Sequence, residues 1–354
     1  MSSPSEIYEP PGCEYPQSHA TKRDIWTELS GVAGHHAHCT SFYLDTVEGM
    51  SNDIFSTEGE DHHQGLARTH KLSDGSISFF LSHSELDDGD KGSLSQYRYD
   101  GPTRDEHVLQ TSPLTVAPMK QNLLIEEQHP SDIVFLPDVD RVDAGYLFVT
   151  EEYVGHRLSV YRWALGQDLV LHGQIRQGFP AGGPNFVFID RVAHDYYLGI
   201  ASSNWGWGKL FVALDRDLFP KCEQGALDVD AFRAVTPESW FPFPVTGGAS
   251  QCKLVRDSTG QWYLLGFRSD PADDPNGTDY VDVYEVTWSP FRISYRLGSV
   301  HISFKAGDTG FASTGTHYVE PSGRLLVSSS YRWAEDQGPG NSGFVSRVDE
   351  CPSF

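Results

Sequence analysis

Residues 60–85 read EDHHQGLARTHKLSDGSISFFLSHSE. Two adjacent histidines, His62 and His63, open a short run. Ser73, Asp74 and Gly75 supply a turn, and a second run with apolar centre ends at His83. An Asp-Gly step between two such runs is a hairpin signal. Whether the segment is one odd loop or one copy of a repeated unit decides the fold, because self-similarity at a fixed period marks repeat architectures.

Four later segments repeat the plan. They are HPSDIVFLPDVDRVDAGYLFVTEE from His129, GPNFVFIDRVAHDYYLGIASSNW from Gly183, GASQCKLVRDSTGQWYLLGFRSD from Gly248 and STGTHYVEPSGRLLVSSSYRW from Ser313, spaced 67, 54, 65 and 65 residues start to start. Each has a small or His lead-in, an apolar run, a polar turn and a second apolar or aromatic run. A third run follows each pair, at 92–101, 156–166, 208–218, 279–289 and 342–350. In the first of these Leu94, Gln96 and Arg98 alternate with Ser95, Tyr97 and Tyr99, as a strand with unequal faces requires. Fourth runs are visible at 168–177 and 292–303, and DIWTELSGVAG, residues 24–34, is the expected closing strand of the last unit.

Five four-stranded units predict an all-β fold, a five-bladed β-propeller with ring closure by an N-terminal strand. Residues 22–354 form the single propeller domain, and residues 1–21 an N-terminal extension. Phe79, Phe80, Tyr97, Tyr161 and Tyr284 are expected to pack between blades.

The chain has 354 residues and a formal charge of −23. Such a charge repels phosphate backbones and anionic lipid, so neither nucleic acid nor a membrane is the expected partner. No run approaches 18 apolar residues. The first residues, MSSPSEIYEPPGCEY, lack a basic start and an apolar core. A cytoplasmic location is the expectation. Five cysteines without a CxxC pair read as free thiols.

In propellers the first strand of each blade lines the channel, and its start shares a face with the end of the second strand. That geometry gathers His62, His63, Gln64, His129, Ser131, Asp132, Asn185, Ser250, Gln251, Thr316 and His317 from the lead-ins. The second-strand exits add Glu151, Glu152, Trp205, Arg268 and Tyr331. Polar residues recurring at equivalent positions point to a funnel that binds a small-molecule ligand, since buried polar groups cost free energy unless paired.

Three chemistries fit. His63, His129, Asp132 and Glu152 suit acid/base catalysis. Asp132 with Glu151 or Glu152 suits glycoside cleavage, with Trp205, Trp207 and Trp333 as stacking platforms. His62, His63, His129 and His317 come from three blades and could converge on a metal, yet they show no local ligand spacing, so no metal is expected. No dinucleotide or phosphate-loop fingerprint is present, and no cofactor is expected.

Through this repeat, over residues 22–350, the chain resembles five-bladed β-propellers, a group that includes arabinanase-like glycosidases, sugar-binding lectins and calcium-dependent nucleotidases. The glycosidase resemblance implies an Asp at the first lead-in, an Asp at the second and a Glu at the third. Here Asp61 precedes the first, Asp132 suits the second, and the third has Asn185 and no Glu. The chain also resembles propeller cyclases that act without a cofactor, whose pockets orient a reactive intermediate. The leading expectation is such an enzyme, using His63 and His129 in cyclisation or isomerisation. Asp132 or Glu152 would orient a histidine, and Gln64, Asn185, Gln251 and Arg268 would position the ligand. A glycoside hydrolase or a lectin-like module is the alternative.

Overall fold

A strand that is buried on both faces reads as a near-continuous apolar run, and AGYLFVTE at 144–151, apolar from Ala144 to Val149 and buried along its whole length, is such a strand. Its alternation sends Tyr146 and Phe148 to one neighbour and Leu147 and Val149 to the other. The computed structural model describes residues 40–44, 62–84, 92–99, 103–104, 108–109, 114–116, 118–124, 129–152, 157–176, 185–202, 206–220, 227–234, 240–245, 249–257, 259–270, 278–302, 316–319, 324–329 and 346–351.

The strands, in chain order, begin with β1 (Thr40–Leu44), β2 (His62–Arg68), β3 (Ile77–Ser84), β4 (Ser93–Tyr99), β5 (Thr103–Arg104), β6 (Val108–Leu109), β7 (Leu114–Val116) and β8 (Pro118–Leu124). There follow β9 (Pro130–Pro137), β10 (Ala144–Glu151), β11 (Arg157–Ala164), β12 (Val170–Arg176), β13 (Phe186–Val192), β14 (Asp195–Ser202) and β15 (Trp207–Leu214). After one helical turn at Asp215–Leu218 come β16 (Arg233–Ala234), β17 (Trp240–Pro242), β18 (Ala249–Arg256), β19 (Trp262–Asp270), β20 (Thr278–Trp288) and β21 (Phe291–Ile302). The last are β22 (Thr316–Val319), β23 (Arg324–Ser329) and β24 (Ser346–Cys351).

These strands form antiparallel meanders in the orders β2-β3-β4-β8, β9-β10-β11-β12, β13-β14-β15-β16 with β17 also on β15, and β18-β19-β20-β21. A further sheet runs β22-β23-β24-β1-β7, in which β1 pairs antiparallel with β24 and parallel with β7. The segment expected to supply a closing strand, residues 24–34, lies outside the described residues. The N-terminal strand that does pair with the end of the chain is β1. The first strands touch in a circuit: β2 contacts β9 and β22, β9 contacts β13, β13 contacts β18, and β18 contacts β22.

The core lies between sheets. Ala67, Phe80 and Leu94 meet Ile133, Leu147, Val149, Tyr161 and Trp163 between the first two sheets. Trp163 meets Phe80 edge-on at 5.5 Å and Phe135 at 5.9 Å. Between the second and third sheets Tyr146, Phe148 and Leu158 pack on Val187, Tyr196, Leu198 and Phe211. Between the third and fourth, Phe186, Phe188 and Leu210 pack on Leu264, Tyr284 and Val286. Each fully buried Val, Leu, Ile or Phe among them contributes about 1.5–3 kcal/mol. Of the aromatics expected between blades, Phe80, Tyr161 and Tyr284 lie in these clusters, and Phe79 is fully buried. The side chain of Tyr97 lies outside the described residues.

Candidate active site

The first strands of three sheets carry a one-residue register shift at their lead-in. Gln64 and Gly65 together oppose Ser82, because His63 pairs with His83 and Leu66 with Leu81. Ser131 and Asp132 oppose Thr150, between the pairs Pro130–Glu151 and Ile133–Val149. Ser250 is the extra residue between Ala249–Arg268 and Gln251–Phe267. In the third sheet β13 pairs with β14 without interruption from Phe186–Ala201 to Val192–Asp195. Bulges break the ladder and re-aim side chains, and they concentrate beside active sites.

A bulge leaves backbone groups without ladder partners, and buried ones must be bonded elsewhere. Hydroxyls opposite the first two bulges do this. Gly65 N–H donates to Ser82 Oγ at 2.6 Å, and Ser82 Oγ donates onward to the Ser131 carbonyl at 2.8 Å, tying the first sheet to the second. Asp132 N–H donates to Thr150 Oγ1 at 2.9 Å, and the same hydroxyl donates back to the Asp132 carbonyl at 3.1 Å.

The four lead-ins lie near one layer across the axis. Asp132, fully buried, accepts from Val187 N–H at 3.1 Å on Oδ2 and from Lys253 Nζ at 3.0 Å on Oδ1. Lys253 Nζ also donates to the Ile133 carbonyl at 3.0 Å. The second, third and fourth sheets therefore meet at one carboxylate. His129, Asn185, Ser250 and Gln251 precede these contacts by two or three residues, which places their backbones within about 10 Å of the layer. His62, His63 and Gln64 precede Gly65 in the same way. Removing one member of a buried ion pair strands the other charge and costs about 3–5 kcal/mol, so this pair is structurally committed.

Beside the layer sits a cluster of proton-handling groups. Ser131 Oγ donates to Glu152 Oε2 at 3.2 Å, and His129 Nδ1 stands 3.8 Å from the same oxygen. Glu152 N–H donates to the His129 carbonyl at 3.0 Å, which ties the β10 exit to the β9 lead-in. His129, Ser131, Glu151 and Glu152 are all buried, Glu152 retaining 8% exposure. Arg157 Nε stands 3.8 Å from Glu151 Oε2. In the fourth sheet Arg268 Nε donates to Asp282 Oδ2 at 2.6 Å while its guanidinium lies 4.4 Å over the Tyr280 ring. Asp282 also accepts from Arg296, and Ser299 Oγ donates to it.

Of the expected site residues, His129, Ser131, Asp132 and Glu152 come together, and Asn185 sits at the third lead-in, its N–H donating to the Ala201 carbonyl of β14 at 3.1 Å. Arg268 pairs with Ala249 at the fourth lead-in. His62, His63, Gln64, Ser250 and Gln251 occupy strand positions at lead-ins, and Thr316 and His317 open β22. Nothing of their side chains is described. Trp205 and Tyr331 lie outside the described residues. Trp207 opens β15 and is 48% exposed, as a stacking platform must be. Among the described residues no group of three or more metal-ligating side chains converges.

Lys253, Ser82, Thr150 and Gly65 were not among the expected residues. A lysine on an alternating strand ordinarily faces solvent, and its partner is 121 residues away. Ser82, Thr150 and Gly65 take their part from the bulges, which the apolar pattern does not announce.

No protein-family model matches the sequence. No curated protein is similar to it either. Among solved structures, an alpha-L-arabinanase mutant from Cellvibrio cellulosa aligns with a TM-score of 0.51 at 11% identity, over 81% of this chain and 90% of that one. The fold is that of a β-propeller. A levansucrase mutant from B. megaterium aligns at 0.49 with 12% identity, over 95% of this chain and 94% of that one. The GH43_1 enzyme from Xanthomonas citri, complexed with xylose, aligns at 0.47 with 10% identity, over 92% of each. At these identities the likeness concerns architecture. Fold by itself does not assign chemistry. In this propeller the described residues include no helix long and apolar enough to cross a membrane.

Proposed function

We propose that the five sheets are the blades of a five-bladed propeller, with β1 contributing to the last blade, and that the chain cleaves a glycosidic bond at the mouth formed by the lead-ins. The observation that carries this reading is Glu152, a buried carboxyl group with a small exposed fraction, held between the Ser131 hydroxyl and the His129 imidazole. Glycoside cleavage needs a carboxylic acid that protonates the leaving oxygen and a second carboxylate across the bond. Glu152 is the proposed acid. Asp61, one residue before β2, is the proposed second carboxylate. Asp132 has both oxygens engaged by Lys253 and Val187, so its proposed part is to orient and not to react. His63, Asn185, Gln251 and Arg268 are proposed to position sugar hydroxyls, and exposed Trp207 to stack on a ring.

The architecture it shares with the arabinanase mutant supports a sugar ligand by analogy only. A second reading, cofactor-free cyclisation or isomerisation of a small organic molecule, is favoured by Asn185, which stands where the glycosidase resemblance implies a Glu. There the His129–Glu152 pair would move the proton, and His63 would assist.

The test is turnover of a panel of p-nitrophenyl glycosides. The parent is expected to hydrolyse at least one of them, and Glu152→Gln to lower kcat about 10²-fold or more on the matching oligosaccharide, whose alkoxide leaving group requires a proton, while the protein stays folded. Absence of turnover by the parent across the panel, or full activity in Glu152→Gln, overturns the hydrolase reading.

A further inference from the structure

We propose that Lys253 is a positioning residue for the Glu152–His129 pair, acting through Asp132 and the bulge of β9. The proposal rests on the reading of that pair as the working groups of the site. The bulge residues Ser131 and Asp132 are clamped from three other blades. Ser82 of the first holds the Ser131 carbonyl, Val187 N–H of the third holds Asp132 Oδ2, and Lys253 of the fourth holds both Asp132 Oδ1 and the Ile133 carbonyl. Ser131 Oγ leaves the same bulge toward Glu152 Oε2, the oxygen that faces His129 Nδ1.

An extra residue in a ladder can be accommodated by moving it along the strand, and each placement turns the hydroxyl of Ser131 in a different direction. The clamp from Lys253 selects one placement. An interior ion pair is not needed for stability, since apolar residues of like volume serve as well or better. Its use here fits a part in fixing conformation. It also balances charge: Asp132, Glu151 and Glu152 are three buried carboxyl groups near one lead-in, and the described cations and imidazole facing them are Lys253, Arg157 and His129.

The test reads the pH titration of the His129 imidazole by NMR, its resonance assigned by its loss in His129→Gln. The parent is compared with Lys253→Met and with the double variant Lys253→Met plus Asp132→Asn, alongside thermal melts. A displaced bulge moves the His129 midpoint by about half a pH unit or more in the single and in the double variant. A midpoint that stays at the parent value in both, with only a lower Tm, overturns the proposal. A shift in the single variant alone reflects the field of an uncompensated Asp132 and also contradicts a positioning role. Where Lys253→Met fails to fold, the double variant decides, because it leaves no stranded charge. The readout uses no substrate, so a failed glycoside panel and a failed Lys253 proposal are separate results.

Discussion

The backbone of Gly65 approaches Ser131 so closely that a methyl group on it would stand 2.5 Å from the Ser131 carbonyl oxygen. It would also stand 2.9 Å from Ile133 N. Both are main-chain atoms, so no rotamer change relieves the clash, and the first two blades would have to separate. Gly65→Ala is expected to lose about 1–3 kcal/mol, the usual range for overpacking. Urea unfolding with an unchanged m-value checks this, and parental stability would mean that the two lead-ins are not in contact.

Thr150 bonds the two backbone groups of Asp132 that the bulge releases. Thr150→Val keeps the volume and leaves a buried N–H unsatisfied, for an expected loss of about 1–3 kcal/mol. Ser82→Ala, which releases Gly65 N–H and the Ser131 carbonyl, is expected to act in the same sense. A Thr150→Val variant as stable as the parent by chemical denaturation would contradict the bulge geometry.

Burial pushes the Cys252 thiol well above its ordinary range. The Asp132 carboxylate adds to this and Lys253 opposes it. Because the thiolate is the reactive species, Cys252 should resist iodoacetamide at pH 8 in the native protein and react after unfolding. Peptide mapping of the labelled protein tests this, and native labelling of Cys252 at the rate of the denatured chain would sink it.

Burial also raises the phenols of Tyr146, Tyr197 and Tyr284, the last most strongly, with Asp282 adding to desolvation at Tyr284. A group whose folded pKa lies above its unfolded one stabilises the fold below the unfolded value. That contribution disappears as pH rises through the folded value. Stability should therefore decline above about pH 10, where unfolded tyrosines ionise. Absorbance at 295 nm should show a late, cooperative step coincident with loss of circular dichroism, whereas smooth titration of every tyrosine near pH 10 in folded protein would contradict the packing.

Much of this fold is legible in the recurrence of the 60–85 pattern at four later places in the chain. Hydrophobic runs separated by turns mark the strands, and the register pairs His63 with His83, the start of a first strand beside the end of a second. The bulges were not legible, because one surplus residue leaves the apolar pattern intact and only shifts which face follows. Lys253 was invisible for another reason: its meaning depends on a carboxylate on another blade. Asp132 was expected among the acid/base groups or as the residue that orients a histidine, since an acid at a lead-in looks available in a linear sequence. Its two oxygens hold the second, third and fourth sheets together, and Glu152 faces His129.

A ligand is expected to bind where His129, Ser131 and Glu152 meet. The most direct measurement is the electron density of crystals soaked with a panel of monosaccharides. One ring per chain is expected, at the lead-ins, within hydrogen-bond distance of Glu152 and His129. Density confined to the outer strands of the blades, or equivalent rings at several blades with the mouth empty, would contradict it.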